Sequence, residues 1–181
     1  MALLGIGQEL NGDDGAGVLV ARRLMALTRQ APGVENYIST GPGAFSGPVD
    51  LLVVEAAHAP ENCLGLLLRF APALVILIDA AELGEPPGTV RWLPWEETTG
   101  LSASTHTLPP SMLARFLVPS LGCEVAVLAI QAANTALDAP LSPAVAAAVE
   151  ELAGALGDLL TGTTHRSQLP RARNPQTGPG N

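Results

Sequence analysis

Two neighbouring aspartates, Asp13 and Asp14, lie in a glycine-rich segment that could bind a ligand. Carboxylates at the start of a helix often only accept hydrogen bonds from free N–H groups, which stabilises the helix by about 0.3–1 kcal/mol each. One acid is enough for that role, and the flanking Gly12, Gly15 and Gly17 let the backbone turn sharply. We therefore expect one carboxylate to project over the carboxyl edge of a sheet, where open α/β folds place their ligands.

The same segment has a partial likeness to a dinucleotide-binding loop. Gly5 and Gly7 begin a G-x-G pattern, but Leu10 stands where the third glycine of G-x-G-x-x-G belongs. Two carboxylates at the helix N-terminus would also repel a pyrophosphate group. The pattern therefore disfavours nucleotide binding.

A further acid and a histidine complete a set of three candidate ligands. Asp79 ends the apolar run 73–80, where it either caps the next turn or shares a crevice with the loop carrying Asp14, because the carboxyl ends of parallel strands converge. His106 precedes a predicted helix, and alone it is typical of a solvated loop residue or a cap. Two aspartates and a histidine together suit a divalent ion such as nickel or zinc, with positions left for water or a substrate carbonyl. The spacing alone does not decide between a shared metal site and separate local roles for these residues.

Other hydrolytic centres are poorly supported. Ser46 lies in the segment 43–47, which does not match G-x-S-x-G and falls in a predicted connection. The chain contains no H-E-x-x-H motif. Cys63 and Cys123 lie in apolar surroundings, which favours inert buried thiols over catalytic ones.

Composition narrows the class of protein. A chain of 181 residues with 48% hydrophobic residues can bury the core of one domain. Only 3% of residues are aromatic and the net charge is −8, which argues against nucleic-acid binding. The cysteines have no C-x-x-C partner, which fits a reducing compartment. The longest apolar run is too short to span a bilayer, and the N-terminus lacks the basic region of a secretion signal. We therefore expect a cytoplasmic protein without membrane insertion.

Apolar runs and helical patterns alternate along the chain, which predicts an α/β fold with an open, mostly parallel sheet of about five strands covered on both faces. A helix is expected after the glycine loop, and a long connection over 28–48 with a short strand over 36–39 as one interpretation. We predict one domain over 1–161 and a disordered tail over 162–181, because the tail is rich in Pro, Gly and polar residues. The other predicted strands are 2–6, 49–54, 73–80, 89–93 and 124–130, and the other predicted helices are 61–70, 110–121 and 142–160.

Taken in order, several short motifs resemble those of the hydrogenase maturation peptidases. The resemblance covers most of residues 2–160 and is greatest to the branch that processes hydrogenase 3, the formate-hydrogenlyase type. Each motif alone is weak, but their order along the chain is specific. The motifs are Gly5-Ile6-Gly7-Gln8, Asp13-Asp14-Gly15-Ala16-Gly17, Ala59-Pro60-Glu61-Asn62, the strand ending in Asp79, Pro87-Gly88-Thr89-Val90-Arg91 and Ser104-Thr105-His106-Thr107-Leu108-Pro109.

The resemblance implies a three-layer α/β/α sandwich and a nickel-dependent endopeptidase. Its substrate would be the large-subunit precursor of a nickel–iron hydrogenase, from which it removes a C-terminal extension. The family's metal ligands and catalytic residues map onto Asp14, Asp79 and His106, and Asp13 is a candidate to take the proton through a water molecule. In that family nickel arrives already inserted in the precursor, so the resemblance implies that the purified enzyme need not carry any. We predict a monomer.

The resemblance also assigns a substrate-specificity loop to Glu55, Ala56, Ala57 and His58. The family has glycines at the two central positions, and alanine adopts positive φ less readily, so a different loop path is expected here. His58 is either a solvated imidazole or a group that recognises the precursor. The same departure keeps a second class of function open, a nonenzymatic nickel carrier or precursor-holding chaperone.

Overall fold

The computed structural model describes residues 1–28, 51–99 and 109–161. Within these ranges five strands form one sheet, and they are β1 (Ala2–Ile6), β2 (Leu52–Ala57), β3 (Leu74–Ala81), β4 (Val90–Pro94) and β5 (Glu124–Gln131). Their order in the sheet is β2-β1-β3-β5-β4, with β4 antiparallel to β5 and the other pairs parallel. This confirms the predicted α/β class and the mostly parallel sheet.

Helices cover both faces of the sheet and complete the predicted three layers. The helices are α1 (Ala16–Thr28), α2 (Leu64–Phe70), α3 (Pro110–Leu121) and α4 (Pro143–Thr161), and short 3-10 segments occupy Glu9–Gly15, Pro60–Cys63 and Trp95–Thr98. Helices α1 and α4 pack on one face around Leu3, Ile76 and Leu128, and α2 and α3 pack on the other around Leu4 and Leu77. No helix within the described ranges is long and apolar enough to cross a bilayer.

Most predicted elements agree closely with the structure. The first strand and the helix over 110–121 have the predicted bounds. The second strand begins at Leu52 instead of residue 49 and continues to Ala57, because its pairing with β1 starts at Ala2 and follows that strand to its end. The predicted connection over 28–48 begins inside α1, because Thr28 is the last residue of that helix. The rest of that connection, with its strand interpretation at 36–39, and the predicted tail over 162–181 lie outside the described residues.

The strand order creates a crevice between β1 and β3. From β1 the chain passes to β2 on one side, whereas the next crossover returns to β3 on the other side. Ligands of open α/β sheets bind at such a switch point, beyond the carboxyl ends of the strands. The last register pair of β1 and β3 joins Gly5 and Ile78, so Asp79 is the first residue of β3 beyond that pairing.

Two glycines fix the turn that follows β1. Gly7 has φ of 130°, and a Cβ there would overlap the carbonyl group of Asp14. A Cβ on Gly17 would overlap the carbonyl oxygens of Ile6 and Ile78, so α1 begins in direct contact with the ends of β1 and β3. This close packing places the neighbouring residues Asp13 and Asp14 beside the switch point.

Candidate active site

Asp14 and Asp79 form a pair of buried carboxylates at the switch point. Asp14 is 2% exposed, and its Oδ2 accepts the backbone N–H of Gln8 at 3.0 Å. Burial raises the pKa of Asp14 despite this hydrogen bond. Asp79 is 5% exposed, and burial together with the negative charge of Asp14 raises the pKa of Asp79 to about 7, although the N–H of Ala80 opposes the shift.

The described part of the chain provides no basic partner for this pair. Its ion pairs involve Arg22, Arg23 and Arg91, and each of these binds a glutamate instead of Asp14 or Asp79. Two buried carboxylates without a cation are unfavourable, and either protonation or a bound cation relieves the cost. The donor chemistry of the pair therefore fits a divalent metal ion.

A third ligand is not found in residues 1–28, 51–99 and 109–161, where no three His, Cys, Asp or Glu side chains converge. His106 lies outside these ranges. The three-ligand set of Asp14, Asp79 and His106 therefore stays a prediction, of which the structure describes two members.

Asp13 makes its hydrogen bonds outside this pair and holds two distant segments together. It is fully buried; its Oδ2 accepts the N–H groups of Ala133 and Asn134 at 2.8 and 3.0 Å, and its Oδ1 accepts that of Ser142 at 2.7 Å. Burial raises the pKa of Asp13, but the hydrogen bonds from Ser142, Ala133 and Asn134 outweigh it and leave the pKa below its usual value. Asp13 thus ties the turn after β1 to the connection between β5 and α4.

The loop after β3 is held by Gln131 at the end of β5. This side chain is buried, and its Oε1 accepts the N–H groups of Leu83 and Glu85 at 2.6 and 3.2 Å. Its Nε2 donates to the carbonyl of Ala132 at 2.8 Å. The segment that follows Asp79 is therefore fixed by a neighbouring strand.

The predicted specificity loop lies at the end of β2, next to the turn after β1. Glu55 binds Arg22 of α1, Ala56 is buried and His58 is exposed. Ala57 adopts φ of 52° where the register of β1 and β2 shifts, and its carbonyl accepts the N–H of Gly7 at 3.1 Å. Alanine thus takes the left-handed conformation here despite its cost. The role of these four residues in recognition stays a prediction.

Replacing Ala57 by Gly should raise the free energy of unfolding by up to about 1 kcal/mol, because glycine adopts positive φ without a Cβ clash. Ala71 offers a matched comparison, since it has φ of 49° at the C-cap of α2, away from the crevice. Urea unfolding of both variants measures the effect. Ala71→Gly should stabilise similarly, and a loss of stability in Ala57→Gly alone would show that the alanine methyl group contributes needed packing.

Sequence reasoning found the two carboxylates but missed the residues that position their loops. Arg22 contacts Glu9 and Glu55, which are 13 and 33 residues away, so no short motif marks the cluster. Gln131 is likewise 48 residues from Leu83. For Gln131 the available signal is a polar residue that ends an otherwise apolar run in β5.

Comparison with known proteins agrees with this fold. A family model described as hydrogenase maturation protease matches residues 43–158. A protein of Methanocaldococcus jannaschii named as a putative hydrogenase maturation protease is 30% identical over 131 residues, which cover 72% of this chain and 71% of that protein. The hydrogenase 3 maturation protease of Escherichia coli is 27% identical over 149 residues, or 82% and 83% of the two chains.

Solved structures show the same architecture. The crystal structure of the [NiFe] hydrogenase maturation protease HycI from Thermococcus kodakarensis superposes with a TM-score of 0.70 and 28% identity, covering 88% of this chain and 90% of the other. A crystal structure of a hydrogenase 3 maturation protease gives 0.63 and 27%, with 84% and 86% covered. These matches identify a protease of the α/β class, and hence a hydrolase. The chain belongs to the hydrogenase maturation protease family.

Proposed function

We propose that this chain is an endopeptidase that removes the C-terminal extension from a nickel-loaded large-subunit precursor of a nickel–iron hydrogenase. The observation that carries the proposal is the buried pair Asp14 and Asp79 at the switch point, without a basic partner in the part of the chain that the structure describes. The named activity of the relatives supports the reaction class. A hydrogenase 3 type of substrate and a cytoplasmic setting belong to the same proposal.

Nickel is part of the substrate in this proposal. Asp14 and Asp79 would hold the precursor's nickel through carboxylate oxygens, and His106 through an imidazole nitrogen. A divalent ion held beside a peptide bond can polarise the scissile carbonyl or lower the pKa of a water molecule. The nearby positive charge would also lower the pKa of Asp79, so the carboxyl group that is partly protonated near pH 7 in the free protein would become ionised on binding.

The contacts of Asp13 favour a positioning role over proton transfer. Its carboxylate accepts three backbone N–H groups, and its lowered pKa makes it a weak base. We propose that Asp13 fixes the turn that carries Asp14. The sequence alone suggested that Asp13 accepts the proton. The stability and the cleavage rate of an Asp13→Asn variant distinguish that role from positioning.

The proposal is tested by incubating the chain with nickel-loaded and nickel-free large-subunit precursor of the hydrogenase 3 type, followed by intact-mass measurement of the precursor. We expect loss of the C-terminal extension only in the nickel-loaded sample. Equal cleavage in both samples would contradict the nickel requirement. An unchanged precursor mass together with a stable complex would instead support the nonenzymatic chaperone.

A further inference from the structure

Arg22 of α1 binds two glutamates from different segments at once. Its Nη1 and Nη2 each donate to Glu9 at 2.8 Å. Its Nε and Nη2 donate to Glu55 at 3.2 and 2.7 Å. Planar guanidinium groups form such two-point contacts with carboxylates, and these have a defined geometry that single contacts lack. Arg22 therefore joins three parts of the chain through one side chain.

The two glutamates lie on segments that border the candidate active site. Glu9 begins the 3-10 segment that contains Asp14, and a Cβ on Gly15 would lie 2.9 Å from the Cα of Glu9, so this segment is tightly folded on itself. Glu55 precedes Ala57, whose carbonyl accepts the N–H of Gly7. The Arg22 cluster and this backbone hydrogen bond thus connect the same two segments at two places.

We propose that Arg22 is a positioning residue that holds the loop 55–58 against the turn carrying Asp14 and thereby sets the affinity for the precursor; this inference rests on the proposed function. A polypeptide that reaches the carboxylate pair lies close to these segments, because one contains Asp14 and the other is hydrogen-bonded to Gly7 in the turn after β1. The cluster is partly exposed, with 48% of the Arg22 side chain accessible, so its effect on overall stability is small. Its main effect is on the relative placement of two binding segments.

The neighbouring Arg23 provides a matched control. It lies on the same helix with 49% of its side chain exposed, and its Nε pairs with Glu150 of α4 at 2.8 Å. Arg22→Gln and Arg23→Gln therefore each remove one positive charge and the ion pairs of one partly exposed arginine. We expect Arg22→Gln to raise KM for nickel-loaded precursor about five- to tenfold, equivalent to about 1–1.4 kcal/mol, with kcat within about twofold. Arg23→Gln should leave both within about twofold.

Arg22→Lys separates geometry from charge. A lysine ammonium keeps the positive charge but cannot contact two carboxylates through a planar fork. We expect its KM to lie between those of the wild type and Arg22→Gln. Full recovery of KM by lysine would overturn the geometric part of the proposal, because charge alone would then explain the effect.

Amide hydrogen exchange tests the coupling without cleavage. Release of Glu55 should loosen the end of β2, so the Gly7 amide should exchange several-fold faster in Arg22→Gln than in Arg23→Gln, at equal Tm. Unchanged Gly7 exchange, or equal KM in the two variants, would overturn the proposal. If the wild type does not cleave the precursor, the proposed function fails. The Gly7 exchange rates and the Kd for precursor of Arg22→Gln and Arg23→Gln would then still decide the role of Arg22.

Discussion

Replacement of Asp79 by Asn is expected to lower precursor cleavage by on the order of 10²–10³-fold or more while making the protein more stable above pH 7. Activity falls because the amide supplies no negative charge to the proposed nickel site. Stability rises because the asparagine side chain carries no buried charge to be desolvated beside Asp14. Active-site side chains commonly cost stability, and for Asp79 the cost comes from the burial of two acids side by side.

The pH dependence of this gain follows from the raised pKa of Asp79. The folded protein binds the proton with a pKa of about 7, whereas the ordinary value is 3.8. The wild type therefore loses stability as pH rises from about 4 to about 7, because the unfolded chain releases the proton earlier. About three pKa units correspond to roughly 4 kcal/mol, so we expect Asp79→Asn to be more stable by about 2–4 kcal/mol at pH 8 and equally stable near pH 4.

Asp138→Asn is a suitable control for Asp79→Asn. Asp138 is exposed and has φ of 59°, a conformation that asparagine also tolerates. Urea unfolding at pH 4 and pH 8 and cleavage of nickel-loaded precursor are the measurements. Asp138→Asn should change neither. A less stable Asp79→Asn protein at pH 8, or one that still cleaves at nearly the wild-type rate, would show that the Asp79 carboxylate has another partner or no role in the reaction.

Replacement of Asp13 by Asn is expected to lower the free energy of unfolding by about 2–4 kcal/mol. The carboxylate accepts three backbone N–H groups with two oxygens, whereas asparagine offers one oxygen and directs an NH₂ group at the remaining donors. At least one of these N–H groups, whose hydrogen bonds to Asp13 are partly buried, then loses its acceptor. Because Asp14 follows directly, cleavage should also fall, by about tenfold or more.

The folded pKa of Asp13 lies below its ordinary value, so its stabilising effect is present above about pH 4 and is lost as pH falls through the folded pKa. The difference between the wild type and Asp13→Asn should therefore shrink below pH 4. A different combination of stability and activity would distinguish the two roles of Asp13. An Asp13→Asn protein with wild-type stability and no cleavage would support the assignment of Asp13 as the proton acceptor and contradict the positioning role.

The sequence predicted the parts of this fold that depend on local pattern. The apolar run that became β3 and the Ser142-Pro143 start of α4 are strong local signals, and the Ser142 hydroxyl accepts the Val145 N–H at 3.4 Å. The meeting of Asp14 and Asp79 at one edge followed from the convergence of parallel strands, not from their spacing.

The rest depends on contacts between distant segments. Asp13 looked like a helix cap or a base, because its donors lie about 120 residues later in a connection without periodicity. The bounds of β2 were set by pairing with β1, which extends the strand past the apolar run. The cluster around Arg22 has no local signal, since charged residues on the exposed face of a helix are ordinary in any sequence.

Anomalous diffraction at the nickel edge, from wild-type crystals grown with excess nickel, would show whether Asp14, Asp79 and His106 hold the metal together. We expect one nickel peak within about 2–2.3 Å of a carboxylate oxygen of both Asp14 and Asp79 and of a nitrogen of His106, and no peak there in Asp79→Asn crystals. Nickel bound elsewhere, or in contact with only one of the two aspartates, would contradict this expectation.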